Sequence, residues 1–509
     1  MRLLLPVIIT ILLSIAAQAY DIDSIPVDIR SEREFTGFSY VADAPYSNPA
    51  MQPLRQRFSF SILSTGYSSR IESKPVVTTA GRGEQKGVFN ARTYMHVGKS
   101  TVWGFAGYDN GRIIDMRLCE SIDAGKISPY TIADTVGGNQ KLERYRFGGG
   151  YARTGSAISW GASISYAAGL YYRQIDPRPK NITGQLDISA GMAFLAGNYL
   201  VGPAFTFCRY RQSTDISFVS EMGKSKLFHT TGLGTHYSRF EGSGSNVFSD
   251  CYTYSASIDL HPSGSSGAFA SVRMSRMTLR HVISDLNKLP MANATEHTAF
   301  IQAGYLSRLD RWNWKAYAES DISRRHGKEN LFGDPTSGSY PIIGSRLAYA
   351  DNRWTLRVGG IAVYAAREWS ASAETSLGWS HRLAIYSDPH REWLADHADV
   401  SLRLTASWRP TVKWMFGVKA DGCIIRSPNS RLYGITTNNP DKASQKFNDA
   451  VISDFRNTTS LFRSAGIGFL LQYAFSTRYA LALSPYLRHG SRASGISDNE
   501  VTVSLQFIF

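Results

Sequence analysis

The chain has 509 residues, of which 43% are hydrophobic and only 19% are charged, and its formal net charge is +14. A soluble enzyme of this length usually carries more charge and shows clear helical segments with a 3.6-residue apolar period. The basic residues form no dense Lys/Arg run and no nucleic-acid motif, so nucleic acid is not an expected partner. Composition therefore disfavours helical enzymes and nucleic-acid-binding proteins.

The first residues are predicted to be a cleaved secretory signal peptide. Arg2 supplies a positive charge, residues 3–17 are almost wholly apolar, and Ala17-Gln18-Ala19 has the small-x-small form of a cleavage site. The apolar run is short for a membrane-spanning helix, and no later segment reaches the about 20 apolar residues that such a helix needs. The mature chain is expected to begin at Tyr20.

From about residue 57 onward, apolar and polar residues alternate with period two. In residues 157–172 the even positions are apolar and the odd positions are mostly small or polar. These segments are longer than the about 5–6 residues of soluble strands and suit the about 9–11 residues that cross a bilayer at a tilt. The same pattern recurs in residues 185–194, 252–260, 400–408, 412–424, 465–475 and 479–487.

Short turns between these segments alternate with longer polar connections, which is the asymmetry of an outer-membrane barrel. The longer connections are expected at residues 119–141, 282–295, 326–339, 386–396 and 427–462. An open sheet edge would leave backbone groups unpaired in hydrocarbon, so the sheet must close. The sequence predicts an all-β fold, a transmembrane antiparallel meander β-barrel of about 14 to 20 strands. The number of strands is given as a range because short and long connections do not alternate regularly between residues 212 and 396. The weakest predicted strand there is 225–239.

This pattern divides the chain into a signal peptide (1–19), an N-terminal segment (20–56) and a barrel (57–509). The N-terminal segment contains three prolines, which cannot join a sheet interior, and too much apolar surface for a purely solvated tail. It is therefore predicted to fold into the lumen as a plug, with a flexible leader as the alternative. Its triplet Asn48-Pro49-Ala50 resembles the N-terminal hatch of long-chain fatty-acid transporter barrels, which implies a lumenal plug and hydrophobic substrates. The rest of the chain is similar to uncharacterised outer-membrane barrels.

The last nine residues place apolar side chains at every odd position and end on an aromatic residue. This pattern resembles the assembly signal of outer-membrane barrels, because an amphipathic edge strand can be captured by strand addition. The predicted signal residues are Val503, Leu505, Phe507 and Phe509.

The polar face of the alternating segments carries charges of both signs. A charged side chain facing lipid would cost about 2–4 kcal/mol at mid-depth, so these residues are predicted to face the lumen. They are Arg144, Arg146, Asp187, Asp259, Lys315, Glu319, Asp321, Arg357, Glu374, Arg382, Arg403, Lys413, Lys419 and Asp421. Mixed signs indicate either ion pairs that keep the barrel rigid or a wet channel.

Residues 386–399 hold the densest group of histidines and carboxylates. Asp388, His390, Asp396 and His397 are weak candidates for a cation site or for positioning a hydrolytic water. A solvated polar loop is the preferred interpretation, because no second group completes a mechanism. The four cysteines form no CxxC pair. No metal, cofactor or catalytic residue is therefore predicted, and the chain is not expected to be an enzyme.

Taken together, the sequence predicts a bacterial outer-membrane barrel that acts as a passive transporter or pore for a hydrophobic or small solute. Expected partners are outer-membrane lipid and lipopolysaccharide, whose phosphates attract basic side chains, and the assembly machinery that receives the C-terminal strand. Two alternatives stay open: a structural or surface-interaction barrel that binds a partner through its loops, chiefly 427–462, and a barrel hydrolase.

Overall fold

The protein is described here by a computed structural model that covers residues 25–56, 58–220, 225–336, 339–438 and 441–509. The predicted signal peptide lies outside the described residues. The strands are β1 (Phe60–Glu72), β2 (Gly83–Val97), β3 (Ser100–Met116), β4 (Ile132–Ala133), β5 (Gly138–Arg153), β6 (Ile158–Tyr172), β7 (Arg178–Ala196), β8 (Tyr199–Ser217), β9 (Phe228–Gly232), β10 (Thr235–His236), β11 (Asn246–Pro262), β12 (Ser266–Ile283), β13 (Leu289–Arg308), β14 (Trp312–Phe332), β15 (Ile342–Ala365), β16 (Trp369–Tyr386), β17 (Arg391–Trp408), β18 (Trp414–Arg426), β19 (Ser430–Tyr433), β20 (Phe462–Ala474), β21 (Ala480–Arg492) and β22 (Ser497–Ile508).

The helices are few and lie outside the sheet. They are α1 (Val27–Phe35), α2 (Ala124–Ile127) and α3 (Lys442–Thr459), with short 3-10 turns at Phe38–Tyr40, Ala44–Ser47, Pro49–Leu54, Thr78–Ala80 and Ser238–Phe240. Of the helices in the described ranges, none is long and apolar enough to cross a membrane.

The long strands form an antiparallel meander that closes on itself. Each barrel strand pairs with the next one along the chain, and β1 also pairs with β22. Both β18 and β19 pair with β17, at successive stretches of its length, so they form one interrupted barrel strand. The barrel therefore has 18 strands, which confirms the predicted all-β meander.

The weakest predicted strand, residues 225–239, is not part of the barrel. Its two short strands, β9 and β10, form a separate three-stranded sheet with β4. The pairing partner comes from another connection roughly 100 residues away, as in Ile132 opposite His229. Local alternation alone could not distinguish this small sheet from a barrel strand.

The period-two pattern matches the burial of the wall side chains. On β6 the side chains of Ile158, Trp160 and Ile164 are about half exposed, whereas Ser159 is 4% exposed. Aromatic residues cluster beside the short turns, where Trp408 stacks on Phe416 with ring centroids 5.8 Å apart. An exposed apolar band edged by aromatic rings is the outer surface that a lipid bilayer requires.

Several predicted boundaries were wrong, because strands continue further toward the long-loop end than the apolar alternation does. The turn between β16 and β17 spans only residues 387–390, although a connection over 386–396 was predicted. Residues 284–288 likewise form a short turn in place of the predicted 282–295. Above the apolar band both faces of a strand carry polar side chains, so the sequence loses its period there.

Candidate functional site

Helix α1 lies against the inner face of the barrel, at the end of the barrel where the short turns are. Its first backbone amide, on Val27, donates to the carbonyl oxygen of Thr477 in the β20–β21 turn at 2.8 Å. The Val27 side chain is fully buried against wall residues that include Met415 and Ile508. The apolar start of the helix thus packs on strands β18 and β22.

Two acidic side chains of α1 pair with one arginine of the β17–β18 turn. Arg409 contacts Asp28 at 3.2 Å and Glu32 at 2.9 Å, and all three side chains are at most 11% exposed. The hydroxyl of Ser407 also donates to Glu32 at 3.2 Å. Removing Arg409 would leave two carboxylates with little compensation in a low-dielectric site.

The triplet Asn48-Pro49-Ala50 packs directly against the wall. The buried Asn48 amide donates to the backbone carbonyls of Met192, Gly202 and Pro203 at 3.2–3.3 Å. Its Oδ1 atom accepts from the Ala50 backbone amide at 3.0 Å and so caps the following 3-10 turn. A Cβ atom on Gly161 would lie 2.6 Å from the Pro49 carbonyl carbon, so the wall glycine makes room for the segment.

The middle of the N-terminal segment is held by buried polar contacts. Lys315 is 2% exposed, and its Nζ atom donates to the Val41 carbonyl at 3.0 Å. The Tyr46 hydroxyl and His261 Nε2 are 3.0 Å apart. The segment 25–56 therefore contacts inner-face side chains on β6–β8, β11, β14, β17 and β20–β22.

A chamber of about 570 Å³ lies between α1 and the wall. Three basic side chains line it, Arg92, Arg146 and Lys419. Arg92 pairs with Glu34 and Arg146 with Asp109, whereas Lys419 has no carboxylate within 4.0 Å in the described part of the chain. Apolar side chains from α1 and the wall complete the lining: Phe35, Phe60, Ile62, Phe105 and Leu470.

The opposite end of the barrel holds three connections, called here the loop cap: residues 117–137, 225–245 and 441–461. Tyr130 is fully buried in a cluster with wall residues such as Leu279 and Met291. Phe447 of α3 packs edge-on against Phe228 of β9, with ring centroids 5.4 Å apart. These contacts tie the cap to itself and to the barrel.

A buried ion cluster fixes the first connection of the loop cap. Arg173 contacts Glu120 and Asp134 at 2.9 Å each, and all three side chains are at most 3% exposed. Burial, together with the neighbouring Asp134, holds the pKa of Glu120 well above its usual range. The cluster joins the end of β6 to the loop that precedes β5.

Half of the charges predicted to face the lumen, seven of the fourteen, form ion pairs along the wall. Asp109 of β3 receives Arg144 at 3.0 Å and Arg146 at 3.1 Å. Asp351 of β15 receives Arg382 at 3.0 Å. Two further pairs join Glu374 to Arg403 at 2.8 Å and Glu319 to Arg357 at 3.6 Å. The two aspartates at the centres of these pairs were not among the predicted charges, although they lie on the same face of the sheet as their basic partners.

The remaining predicted charges have polar or backbone neighbours. Asp259 is fully buried and accepts from Ser257 at 2.8 Å and Ser271 at 2.6 Å. Three others lie as follows: Asp187 accepts from Gln185 at 2.9 Å, Asp421 accepts from Tyr486 at 3.0 Å, and Asp321 lies opposite Thr355. Lys413 is a correction, because it lies in the exposed β17–β18 turn before β18 begins and is not on a strand.

The candidate cation group does not come together. Asp388 is 83% exposed in the β16–β17 turn and pairs with Arg346 at 3.3 Å. Asp396 is bonded to His381 at 2.6 Å, while His397, its neighbour on β17, points to the opposite face. The His390 ring contacts the Tyr433 ring at a tilt, with centroids 5.7 Å apart. Within the described ranges, no three His, Cys, Asp or Glu side chains are placed to hold a metal ion. Two of these residues lie in a turn and two are adjacent on a strand, so their side chains point in different directions.

The sequence matches the family of unknown function DUF6850 over residues 49–509, so the chain belongs to that family. A comparison with curated proteins found no match. The family match and the similar structures give no support to the resemblance to fatty-acid transporters.

Solved structures with a similar fold are outer-membrane barrels. A mutant of the ferric enterobactin receptor PfeA of Pseudomonas aeruginosa, in complex with enterobactin, is 8% identical with a TM-score of 0.39, over 89% of this chain and 81% of that one. The CymD monoaromatic hydrocarbon channel is 11% identical with a TM-score of 0.31, over 95% and 96%. The copper transporter OprC is 8% identical with a TM-score of 0.39, over 88% and 80%. Such low similarity carries no argument about function.

Proposed function

We propose that this member of DUF6850 is an outer-membrane transport barrel whose N-terminal segment is a plug and whose chamber receives a small solute with an anionic group and an apolar body. The observation that carries the proposal is the chamber of about 570 Å³ between α1 and the wall, where basic and apolar side chains meet.

The location in the outer membrane rests on the wall itself. All the barrel strands find partners on both sides, since β1 pairs with both β2 and β22. A closed sheet satisfies its backbone groups without water, which a bilayer core demands. The exposed apolar band and the aromatic rings beside the short turns suit lipid contact.

The plug role rests on how residues 25–56 are held. They form no strand and add nothing to the sheet, so the barrel closes without them. Their anchors are separate polar contacts, chiefly Arg409 with α1 and Asn48 with the β7–β8 hairpin. Such contacts can be exchanged for water or solute groups at modest cost, unlike the hydrogen bonds of the wall.

The solute class follows from the chamber lining. Glu34 pairs with Arg92, and Asp109 is shared by Arg144 and Arg146, whereas Lys419 is a cation without an ion-pair partner among the described residues. An anionic group of a solute would supply that partner. Phe35 and Leu470 on the same chamber wall offer apolar surface for the remainder of the molecule.

Liposome swelling with two matched solutes tests the proposal. Phenyl glucuronide and phenyl glucoside have nearly the same size, and only the first carries a carboxylate. We expect the barrel to pass the glucuronide faster without an energy source, and the double variant Arg146→Gln with Lys419→Gln to reduce that preference several-fold. Lys446→Gln, an exposed change on α3, is the matched control.

Two results would count against the proposal. Equal rates for both solutes, unaffected by the double variant, would remove the anion preference. Failure of either solute to enter, even when residues 20–56 are deleted from a folded barrel, would favour the surface-interaction alternative. The hydrolase alternative relied on the group at 386–399, in which Asp388, His390 and His397 do not come together with Asp396.

A further inference from the structure

A band of basic side chains projects outward from strands β8, β12 and β14, directly above the apolar band. Every second side chain of these strands points outward. On each strand an apolar outward side chain is followed, two residues later, by a basic one. The three steps are Phe205 and Phe207 to Arg209, Met274 to Arg276, and Ile322 to Arg324. Phe205, Met274 and Ile322 are 51%, 65% and 42% exposed, which identifies them as lipid-facing.

The strands between them complete one continuous surface, called here the basic band. In the register of the sheet, Arg276 lies opposite His297, and His297 lies opposite Arg324. One step further from the apolar band, Asp250 lies opposite both Arg211 and Arg280. The members of the band are Arg209, Arg211, Arg276, Arg280, His297, Arg324, His326 and Lys328.

Most of these cations have no acidic partner. Asp250 pairs with Arg209 at 3.4 Å. Within the described ranges, Arg211, Arg276, Arg280, Arg324 and Lys328 have no carboxylate within ion-pair distance. Like charges placed side by side repel one another, so an outward group of unpaired arginines is stabilised by an anion from outside the chain.

Part of the basic band is shaped as a groove of about 650 Å³, lined by Arg211, Phe248, Tyr252, Arg280 and Lys288 among others. Two of its rings lie beneath guanidinium groups, with Arg209 5.4 Å from the Tyr252 ring centroid and Arg211 5.0 Å from that of Phe248. The rings hold both planar guanidinium groups at the wall. The N–H edge of Arg209 donates to Asp250, whereas Arg211 has no carboxylate within ion-pair distance among the described residues and can make a bidentate contact with an anion.

We propose that the basic band is a binding site for the phosphate groups of a phosphorylated glycolipid in the leaflet on the long-loop side. This inference rests on the proposed outer-membrane location, because the apolar band beneath it must be in lipid. Arg and Lys at the edge of that band lie at headgroup height, where lipid phosphates are dense and guanidinium groups bind them strongly. The acyl chains would then run down the apolar wall past Met274 and Phe205.

Native mass spectrometry of the full mature chain tests the site, with diphosphorylated lipid A and its dephosphorylated form as probes. We expect the wild type to retain the diphosphorylated lipid, and the triple variant Arg276→Gln, Arg280→Gln, Arg324→Gln to retain about a tenth as much or less. The dephosphorylated lipid should be retained by neither. The control replaces three exposed cations outside the basic band, Arg117→Gln, Arg431→Gln and Lys446→Gln, and should behave as the wild type.

Equal retention by the wild type and the triple variant would overturn the proposal, and so would equal retention of both lipids by the wild type. Loss of a dimer in the variant, with lipid retention unchanged, would assign the surface to a second copy of the chain instead. Solute passage through the triple variant should match the wild type in zwitterionic liposomes. A failure of the lipid site is thereby distinguished from a failure of the transport proposal.

Discussion

The Oδ1 atom of Asn48 lies only 2.0 Å from the position that a Cβ atom on Gly191 would occupy. The N-terminal segment and the wall are therefore fitted to each other at atomic contact, and the wall residue must be glycine for the fit to exist. The same asparagine places its amide among three wall carbonyls, so one side chain both caps a turn and docks the segment.

Gly191→Ala should release the second half of the N-terminal segment. The new methyl group displaces Asn48 and breaks its buried amide contacts, at a cost of about 1–3 kcal/mol to the docked state. Hydrogen exchange over residues 44–54 should rise. Gly87→Ala is the matched strand control, since its nearest neighbour beyond the adjacent residues is 3.9 Å away. Equal exchange in both variants would show that Asn48 does not hold the segment.

Arg409→Ala should release the first half. It leaves Asp28 and Glu32 buried without their cation, a change that typically costs about 3–5 kcal/mol. We expect trypsin to cleave after Arg33 in the folded variant while the wild type stays intact. Arg431→Ala, which removes an exposed pair with Glu392, serves as the control. Cleavage at the same rate in all three proteins would contradict a docked α1.

Substitutions at two adjacent residues of the C-terminal strand should affect the assembly rate and the stability of the barrel separately. Phe509 exchanges two backbone hydrogen bonds with Ser61 across the barrel seam, at 2.9 and 3.0 Å, and its ring lies 5.6 Å from that of Phe507. Ile508 points inward and is 2% exposed beneath α1. Phe509→Ala should slow assembly, whereas Ile508→Ala should assemble at the normal rate and lose about 2–5 kcal/mol of stability.

Heat-modifiable gel mobility followed over time measures that assembly rate, and the urea midpoint of the folded barrel measures stability. The reverse result, in which Ile508→Ala assembles slowly and Phe509→Ala does not, would show that the outward aromatic end carries no assembly information.

The loop cap should respond to pH through Asp454 of α3. Its Oδ1 atom accepts from the backbone amide and hydroxyl of Thr78 at 2.9 and 2.7 Å. Burial raises the pKa of Asp454 to about 6, above its ordinary value of 3.8. The docked state therefore binds the proton more tightly than the undocked state does. Docking is strongest below pH 4 and weakens as the pH rises from about 4 to about 6.

Hydrogen exchange of residues 73–82 at pH 4.5 and pH 7 checks this direction. The wild type should protect the segment better at the lower pH, by on the order of 1–3 kcal/mol. Asp454→Asn keeps an acceptor for Thr78 and should abolish the difference, while Asp449→Asn, an exposed change on the same helix, should keep it. Greater protection at pH 7 in the wild type would contradict the account.

The wall was predictable from the sequence because its environment repeats every two residues, as the exposed Trp160 and the buried Ser159 show. Helix α3 was missed, although Asp441 caps it and apolar residues follow at every fourth position, Ala443, Phe447, Val451 and Phe455. A single helical pattern of this kind is easily overlooked in a sequence in which period-two alternation predominates.

The chamber could not be predicted, because its lining depends on contacts between distant parts of the chain. Arg92, Arg146 and Lys419 come from β2, β5 and β18, and only closure of the barrel brings them together. Glu34 reaches Arg92 from α1, a segment whose contacts with the wall follow no sequence period. The alternation of residues along a strand indicated on which face each charge lies, but not which charges from different strands contact one another.

Single-channel conductance in planar bilayers tests the central proposal, that the N-terminal segment obstructs the lumen, with a variant that lacks residues 20–56. The deletion variant, shown to be folded by heat-modifiable mobility, should conduct more than the wild type. A folded deletion variant that conducts no more than the wild type would contradict the claim.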